Sequence, residues 1–75
     1  MYAEAFPAKL KAAREKAGYR QTDVTEETGI PQCNISNYET GRTQPDFETL
    51  GILADLYEVS IDWLLSTKGN NTKNK

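Results

Sequence analysis

The chain has 75 residues, of which 37% are apolar and 27% are charged, and its formal net charge is −2. This composition is that of one small globular domain and excludes a disordered polymer. Because histidine is absent and Cys33 is the single cysteine, the sequence excludes Ser-His-Asp and Cys-His catalysis, zinc fingers and internal disulfides, and we expect no enzyme, cofactor or metal site.

The first two predicted helices cover residues 7–17 and 21–28. In the first, apolar side chains recur at the spacing of one helical face: Phe6, Leu10, Ala13 and Ala17. Val24 is the clearest core residue of the second. Gly18 and Gly29 follow the two segments and are expected to end them in the left-handed conformation.

A third helix is predicted over residues 31–40, with Pro31 in its first turn and Gly41 at its end. Ile35 and Tyr38 mark its buried side. Only Gly29 and its neighbours separate this helix from the second one, which is the spacing of a helix-turn-helix.

Two more helices are predicted after a turn at residues 41–45. Asp46 caps the fourth, whose apolar stripe is Phe47, Leu50, Leu53, Ala54 and Tyr57. Ser60 caps a fifth, in which apolar residues are too closely spaced for a surface helix: Ile61, Trp63, Leu64 and Leu65. We therefore expect the fifth helix to be packed on both sides or to lie at a subunit contact. The fold class is all-α, a compact bundle of five short helices.

The ends of the chain carry no targeting or membrane signal. The amino terminus lacks a basic region followed by an apolar stretch, and no apolar run approaches the roughly 20 residues that cross a bilayer. We therefore expect a cytoplasmic protein without a membrane partner. Residues 1–66 are predicted to form the domain, and residues 67–75 a polar, disordered tail. We expect no fused ligand-sensing domain and no small-molecule ligand.

Charge is unevenly distributed along the chain. Residues 1–20 hold five Lys or Arg against two Asp or Glu, whereas residues 46–65 hold five acids and no base. One end could face a polyanion while the other avoids it, although short chains also segregate charge by accident.

The outer face of the third helix carries amides, hydroxyls and a thiol instead of charges. On a helical wheel these residues span an arc of about 140° opposite Ile35 and Tyr38: Gln32, Cys33, Ser36, Asn37 and Thr40. Gln and Asn can pair with adenine, and a sulfur can contact a thymine methyl group. From these residues alone, base readout and an ordinary polar surface are equally supported.

A recognisable set of residues spans the chain: Gln21, Gly29–Ile30, the run Ile35–Arg42, Pro45 and the run Val59–Leu65. This set resembles the Cro/C1-type (XRE-like) helix-turn-helix family of phage and bacterial transcriptional regulators, over about residues 6–66. The resemblance implies a lambda-repressor-like DNA-binding domain, with the helix-turn-helix formed by helices 2 and 3 and double-stranded operator DNA as its partner.

The resemblance also implies roles for individual residues. The recognition helix corresponds to residues 32–40, so the base-reading side chains would be Gln32, Cys33, Ser36 and Asn37. Contacts with the DNA backbone would come from Gln21, Asn34, Thr43, Arg20, and Arg42 with its flanking amides. Arg14 and Glu39 fall where family members hold a buried ion pair, although the residues themselves allow two exposed charges.

Three departures from the family pattern predict a less stable fold. Arg20 and Pro31 stand where Ser or Thr commonly caps helices 2 and 3, so one or two caps worth about 1 kcal/mol each would be missing. Glu58 stands where glycine or asparagine commonly ends helix 4.

These observations predict a sequence-specific repressor that binds a palindromic or pseudo-palindromic operator as a homodimer. Trp63, with Leu64 or Leu65, would anchor the dimer, or Trp63 would instead close the core of one subunit. The alternative function is a protein-interaction module, such as an antitoxin or antirepressor-like adaptor, that keeps the fold without specific DNA binding.

Overall fold

The computed structural model describes residues 4–66, which form five α-helices joined by short connections and contain no strand. The helices are α1 (Phe6–Lys16), α2 (Gln21–Thr28), α3 (Gln32–Thr40), α4 (Phe47–Tyr57) and α5 (Ile61–Leu65). The predicted all-α bundle is therefore confirmed, whereas the predicted tail at residues 67–75 lies outside the described part. None of the helices within residues 4–66 combines the length and apolarity that crossing a membrane requires.

Glycines end the helices that form the helix-turn-helix. Gly29 and Gly41 have φ angles of 80° and 84°, in the left-handed region that a side chain disfavours. At Gly41 a Cβ atom would also lie 3.4 Å from Cγ of Pro7, so the start of α1 packs closely on the end of α3. These two glycines therefore end α2 and α3, the two helices of the helix-turn-helix.

Two helices, α4 and α5, have N-cap residues whose side chains accept a hydrogen bond, whereas α1, α2 and α3 do not. Asp46 Oδ1 accepts a hydrogen bond from the Thr49 amide at 2.8 Å, and Ser60 Oγ accepts one from the Trp63 amide at 3.0 Å. Arg20 and Pro31, the residues preceding α2 and α3, make no side-chain cap. Pro31 precedes α3 instead of lying in its first turn, because its ψ angle of 144° is extended.

The core lies between α1, α3, α4 and α5, with α2 packed against α3. Its members are Phe6, Leu10, Ala13, Val24, Ile35, Tyr38, Leu50, Leu53, Ala54, Tyr57 and Leu64. They come from all five helices, so detachment of any one helix would expose core side chains to solvent. Within residues 4–66 one buried polar atom, the Tyr57 hydroxyl oxygen, lacks a hydrogen-bond partner.

The structure corrects one apolar prediction for α4 and removes one of the two alternatives for α5. Phe47 is 74% exposed, because the buried stripe of α4 begins at Leu50 and its first turn extends past the core. Helix α5 is not packed on both sides: Leu64 is fully buried, whereas Trp63 is 40% exposed. The reason is that α5 lies against α1 and α4 with one face and leaves its other face outside.

Candidate nucleic-acid interface

The turn between α2 and α3 is held by hydrogen bonds within its own backbone and side chains. The Gly29 amide donates to the Thr25 carbonyl at 2.8 Å, and the Ile30 amide donates to Thr28 Oγ1 at 3.1 Å. Pro31 then starts α3 from an extended conformation. These hydrogen bonds therefore order the connection from α2 to α3 through contacts within the connection itself.

Helix α3 has one buried face and one uncharged outer face. Ile35, Tyr38 and Glu39 are buried. Of the predicted base-reading residues, Gln32 and Cys33 are exposed, while Ser36 and Asn37 are half-buried. All four lie outside the core on one short helix, so a duplex groove applied to α3 would meet amide, hydroxyl and thiol groups.

A buried ion pair connects α1 to α3. Arg14 Nε donates to Glu39 Oε2 at 2.7 Å and Arg14 Nη2 donates to Glu39 Oε1 at 3.1 Å, and their side chains are only 9% and 3% exposed. Arg14 Nη1 also donates to the Tyr19 carbonyl at 2.8 Å. The hydrogen bond with Glu39 raises the pKa of Arg14 above its ordinary value. The pair therefore fixes α3 against α1 and against the connection to α2.

Gln21 extends this ion pair to the outer surface. Its Nε2 donates to Glu39 Oε1 at 3.1 Å, and its Oε1 accepts from Gln32 Nε2 at 3.3 Å. A continuous chain of hydrogen bonds thus runs from buried Arg14 to exposed Gln32 and limits the rotamers of both glutamines. Sequence reasoning missed these two links, because two glutamines eleven positions apart carry no signal of contact until α2 and α3 are placed.

The predicted DNA-backbone residues flank α3 at both ends. Arg20 and Gln21 lie at the start of α2, Asn34 is half-buried in the first turn of α3, and Arg42 and Thr43 are exposed beyond its end. One detail of the expectation was wrong: the amides of Gly41, Arg42 and Thr43 donate to the Asn37 carbonyl and are not free for a phosphate. Only the side chains of Arg42 and Thr43 remain available.

Arg20 is exposed but already has a partner. Its Nη2 lies 3.1 Å from Asp23 Oδ1, and its backbone amide donates to Asp23 Oδ2 at 2.9 Å. These bonds hold the pKa of the Asp23 carboxyl below its ordinary value. Arg20 can therefore contact a phosphate only by sharing or leaving Asp23, whereas the structure shows no ion pair for Arg42 within residues 4–66.

Of the three residues predicted to anchor the dimer, one is buried in the core and two lie at or near the surface. Leu64 is completely buried within the chain, so its assignment to a dimer contact was wrong: it closes the core of its own subunit. Trp63 remains 40% exposed and Leu65 is half-buried. Trp63 borders an open groove of about 380 Å³ together with Ala12, Lys16 and Val59.

Lys9 fixes the position of Trp63. Although it is a lysine, it is only 8% exposed, and its Nζ donates to the carbonyls of Trp63 and Ser66 at 3.0 and 3.2 Å. The same Nζ lies 5.1 Å from the centroid of the Trp63 ring, within the range of a cation–π interaction. The end of α5 is therefore tied to α1, and the indole ring is held in one orientation.

Comparisons with known proteins agree with this geometry. The family model described as helix-turn-helix matches residues 10–64. The chain is 45% identical over 67 residues to the HTH-type transcriptional regulator ImmR of Bacillus subtilis, a match that covers 89% of this chain and 53% of ImmR. It is 37% identical over 60 residues to the SPbeta prophage-derived HTH-type transcriptional regulator YonR of the same organism, covering 80% of this chain and 56% of YonR.

A third relative comes from a different organism. The HTH-type transcriptional regulator DdrOP3 of Deinococcus deserti is 35% identical over 57 residues, covering 76% of this chain and 44% of DdrOP3. The chain thus spans about half the length of the curated relatives it matches. With a family model over most of its length and the α2–α3 pair built as described above, the chain belongs to the Cro/C1-type helix-turn-helix family.

Proposed function

We propose that the chain is a sequence-specific transcriptional regulator, a repressor, that inserts α3 into the major groove of operator DNA. The observation that carries this proposal is the uncharged outer face of α3 held by a buried ion pair. Arg14 and Glu39 fix the helix, and Gln21 continues that bonding to Gln32. A surface that must read base edges benefits from side chains held in this way, because an ordered donor loses less rotamer entropy on binding.

The proposed base-reading residues are Gln32, Cys33, Ser36 and Asn37. A Gln or Asn amide pairs with adenine through two hydrogen bonds, and the Cys33 sulfur can contact a thymine methyl group. Side-chain contacts with the DNA backbone are assigned to Gln21, Asn34, Arg42, Thr43 and Arg20. Because α3 carries no positive charge, phosphate attraction per subunit is weak, and affinity has to come from two subunits acting together.

A homodimer supplies those two subunits. Its surface is assigned to Trp63 and Leu65, since the Trp63 ring is exposed and Lys9 holds it in place. Two recognition helices related by a two-fold axis would enter successive major grooves about 34 Å apart. Such an arrangement requires an operator with palindromic or pseudo-palindromic half-sites.

The test is selection from a random duplex library at about 150 mM salt, followed by sequencing of the retained DNA. We expect enrichment of a palindrome with half-sites one helical turn apart. Failure of a folded, dimeric protein to enrich any sequence would contradict specific DNA binding and favour a protein-interaction module. The variant Trp63→Ser should retain the helical far-ultraviolet spectrum while requiring a higher protein concentration for operator binding, whereas Phe47→Ser is a control that removes an exposed aromatic residue elsewhere.

A further inference from the structure

A second surface lies on α4 and the connection to α5. An open groove of about 640 Å³ there is lined on its apolar part by Gly51, Ile52 and Ile61 and on its acidic part by Glu48, Asp55 and Asp62. Ile52 is 42% exposed, which makes it one of three large apolar residues on the surface of residues 4–66. No residue of α2 or α3 lines the groove. Its use therefore does not occupy the recognition helix.

Gly51 is a glycine that the described fold does not require. It lies in the middle of α4 without a positive φ angle, and a Cβ atom added there would meet nothing within 4 Å. Glycine destabilises a helix interior relative to alanine. The open space beside its backbone is therefore explained if a side chain of another molecule packs directly on α4 at this position.

The charge of the groove limits what that molecule can be. Residues 46–65 hold five acids and no base, and three of the acids line the groove. These carboxylates repel DNA phosphates. A two-fold contact between two copies of α4 crossing at Gly51 would set Glu48 of one copy against Asp55 of the other, which like charges disfavour.

The carboxy-terminal segment of this chain is also a poor match for the groove. Residues 67–75 contain three lysines but no apolar side chain that could cover Ile52. A segment that fills the groove must offer both positive charge and apolar side chains. An amphipathic helix with Lys or Arg beside an apolar stripe offers both, and helices commonly dock in apolar grooves through such stripes.

We propose that the groove formed by α4 and residues 59–62 docks a positively charged amphipathic helix of another protein. Apolar side chains of that helix would pack over Gly51 and Ile52, and its Lys or Arg residues would lie beside Glu48, Asp55 and Asp62. Since the recognition helix contributes nothing to this surface, a regulator bound to DNA could hold such a partner at the same time. This inference goes beyond the proposed function and does not depend on it.

The probe is a synthetic peptide of about 14 residues with leucines at helical i, i+4 and i+7 spacing and lysines elsewhere. A peptide of the same composition with the leucines placed off one face is the comparison. At about 150 mM salt we expect saturable binding of the first peptide alone, with amide chemical-shift changes confined to residues 47–62 of the full chain.

Variants of the groove separate docking from nonspecific charge attraction. Ile52→Ser and Asp55→Lys should each weaken peptide binding about tenfold, whereas Glu27→Lys, the same type of charge reversal on the exposed face of α2, should leave it unchanged. Gly51→Ala should raise the Tm by about 4 °C and still weaken binding at least about fivefold, because the added methyl group occupies the contact.

Several results would overturn the proposal: equal binding of both peptides, shift changes outside residues 47–62, or equal effects of Asp55→Lys and Glu27→Lys. Self-association of the free chain that Gly51→Ala abolishes would assign the groove to a second copy instead. The peptide measurements contain no DNA, so loss of the proposed DNA-binding function would leave this inference standing, and its failure would leave DNA binding untouched.

Discussion

The Glu39 carboxylate accepts hydrogen bonds from Arg14 and Gln21, and all three residues come from different helices. A buried charge is stable only when its partner and its remaining hydrogen bonds are in place. At the residue scale, the position of α3 therefore depends on this polar cluster as well as on the apolar core around it.

Replacement of Arg14 tests this dependence. Arg14→Met should lower the free energy of unfolding by about 3 to 5 kcal/mol, because it leaves the Glu39 carboxylate buried without its counter-charge. Urea unfolding at neutral pH measures the loss. Arg20→Met is the matched control. Arg20 also pairs with a carboxylate, that of Asp23, but its side chain is 83% exposed, so its loss should lower the free energy of unfolding far less. Equal losses in the two variants would contradict a stabilising role for the buried pair.

For the Tyr57 hydroxyl we expect the opposite effect: its removal should not lower the free energy of unfolding. Burial raises the pKa of this phenol, and within residues 4–66 its oxygen has no hydrogen-bond partner. Tyr57→Phe should therefore keep or increase the free energy of unfolding, by up to about 1 kcal/mol, since it removes a polar group that is buried without compensation. A loss of more than about 1 kcal/mol in urea unfolding would show that the hydroxyl is hydrogen-bonded in solution.

Individual contacts were only partly predictable. The residue types of Arg14 and Glu39 allowed a buried pair or two exposed charges, and the resemblance to the Cro/C1-type family was needed to favour the pair. The bonds of Gln21 to Glu39 and Gln32 could not be anticipated, since they depend on how α2 and α3 are oriented. Likewise, the sequence does not indicate that the backbone amides of Arg42 and Thr43 donate to the Asn37 carbonyl.

At the scale of elements, helix α4 ends at a residue with an unfavourable backbone conformation. Glu58 has a φ angle of 60°, in the left-handed region where a side chain costs roughly 1 to 2 kcal/mol relative to glycine. Glu58→Gly should therefore raise the free energy of unfolding by about 0.5 to 1 kcal/mol after the greater freedom of glycine in the unfolded chain is subtracted. Thermal unfolding of Glu58→Ala, which keeps a Cβ atom, is the control and should show no gain.

The start of α4 should make stability depend on acid. The hydrogen bond from Thr49 holds the pKa of Asp46 below 3.8, so its contribution is complete above about pH 3.8 and is lost as the pH falls through the lower folded-state pKa. Asp46→Asn keeps a capping side chain but cannot titrate. We expect its stability to fall less than that of the parent chain between about pH 5 and pH 2 in urea unfolding. An Asp46 titration at or above pH 3.8 by NMR would contradict this account.

Helix positions could be read from the sequence more reliably than helix faces. The bounds of α1 to α5 follow from Gly18, Gly29 and Gly41 and from the caps Asp46 and Ser60, which act locally. Phe47 and Leu64 were misplaced because their burial depends on which neighbours reach the first turn of α4 and the inner face of α5. Periodicity alone does not contain that information.

At the scale of the whole molecule, its faces differ in the groups they offer. Helix α3 presents amides, a thiol and hydroxyl groups next to Arg42, whereas α4 and α5 present carboxylates around an apolar groove. Three of the five acids that residues 46–65 contain thus line one groove: Glu48, Asp55 and Asp62. This separation suits a regulator that approaches DNA with one side and leaves the other side for protein contacts.

The central claim is that Gln32 and Asn37 on α3 read bases, whereas Arg42 beyond its end contacts a phosphate. The most direct measurement is the affinity of Gln32→Ala, Asn37→Ala and Arg42→Ala for a library-selected duplex and its single base-pair variants. We predict that each of the first two loses about 1 to 3 kcal/mol and discrimination at particular base pairs. Arg42→Ala should instead weaken all duplexes uniformly and reduce the salt slope by about one. Uniform losses, or none, for Gln32→Ala and Asn37→Ala would contradict base reading by α3.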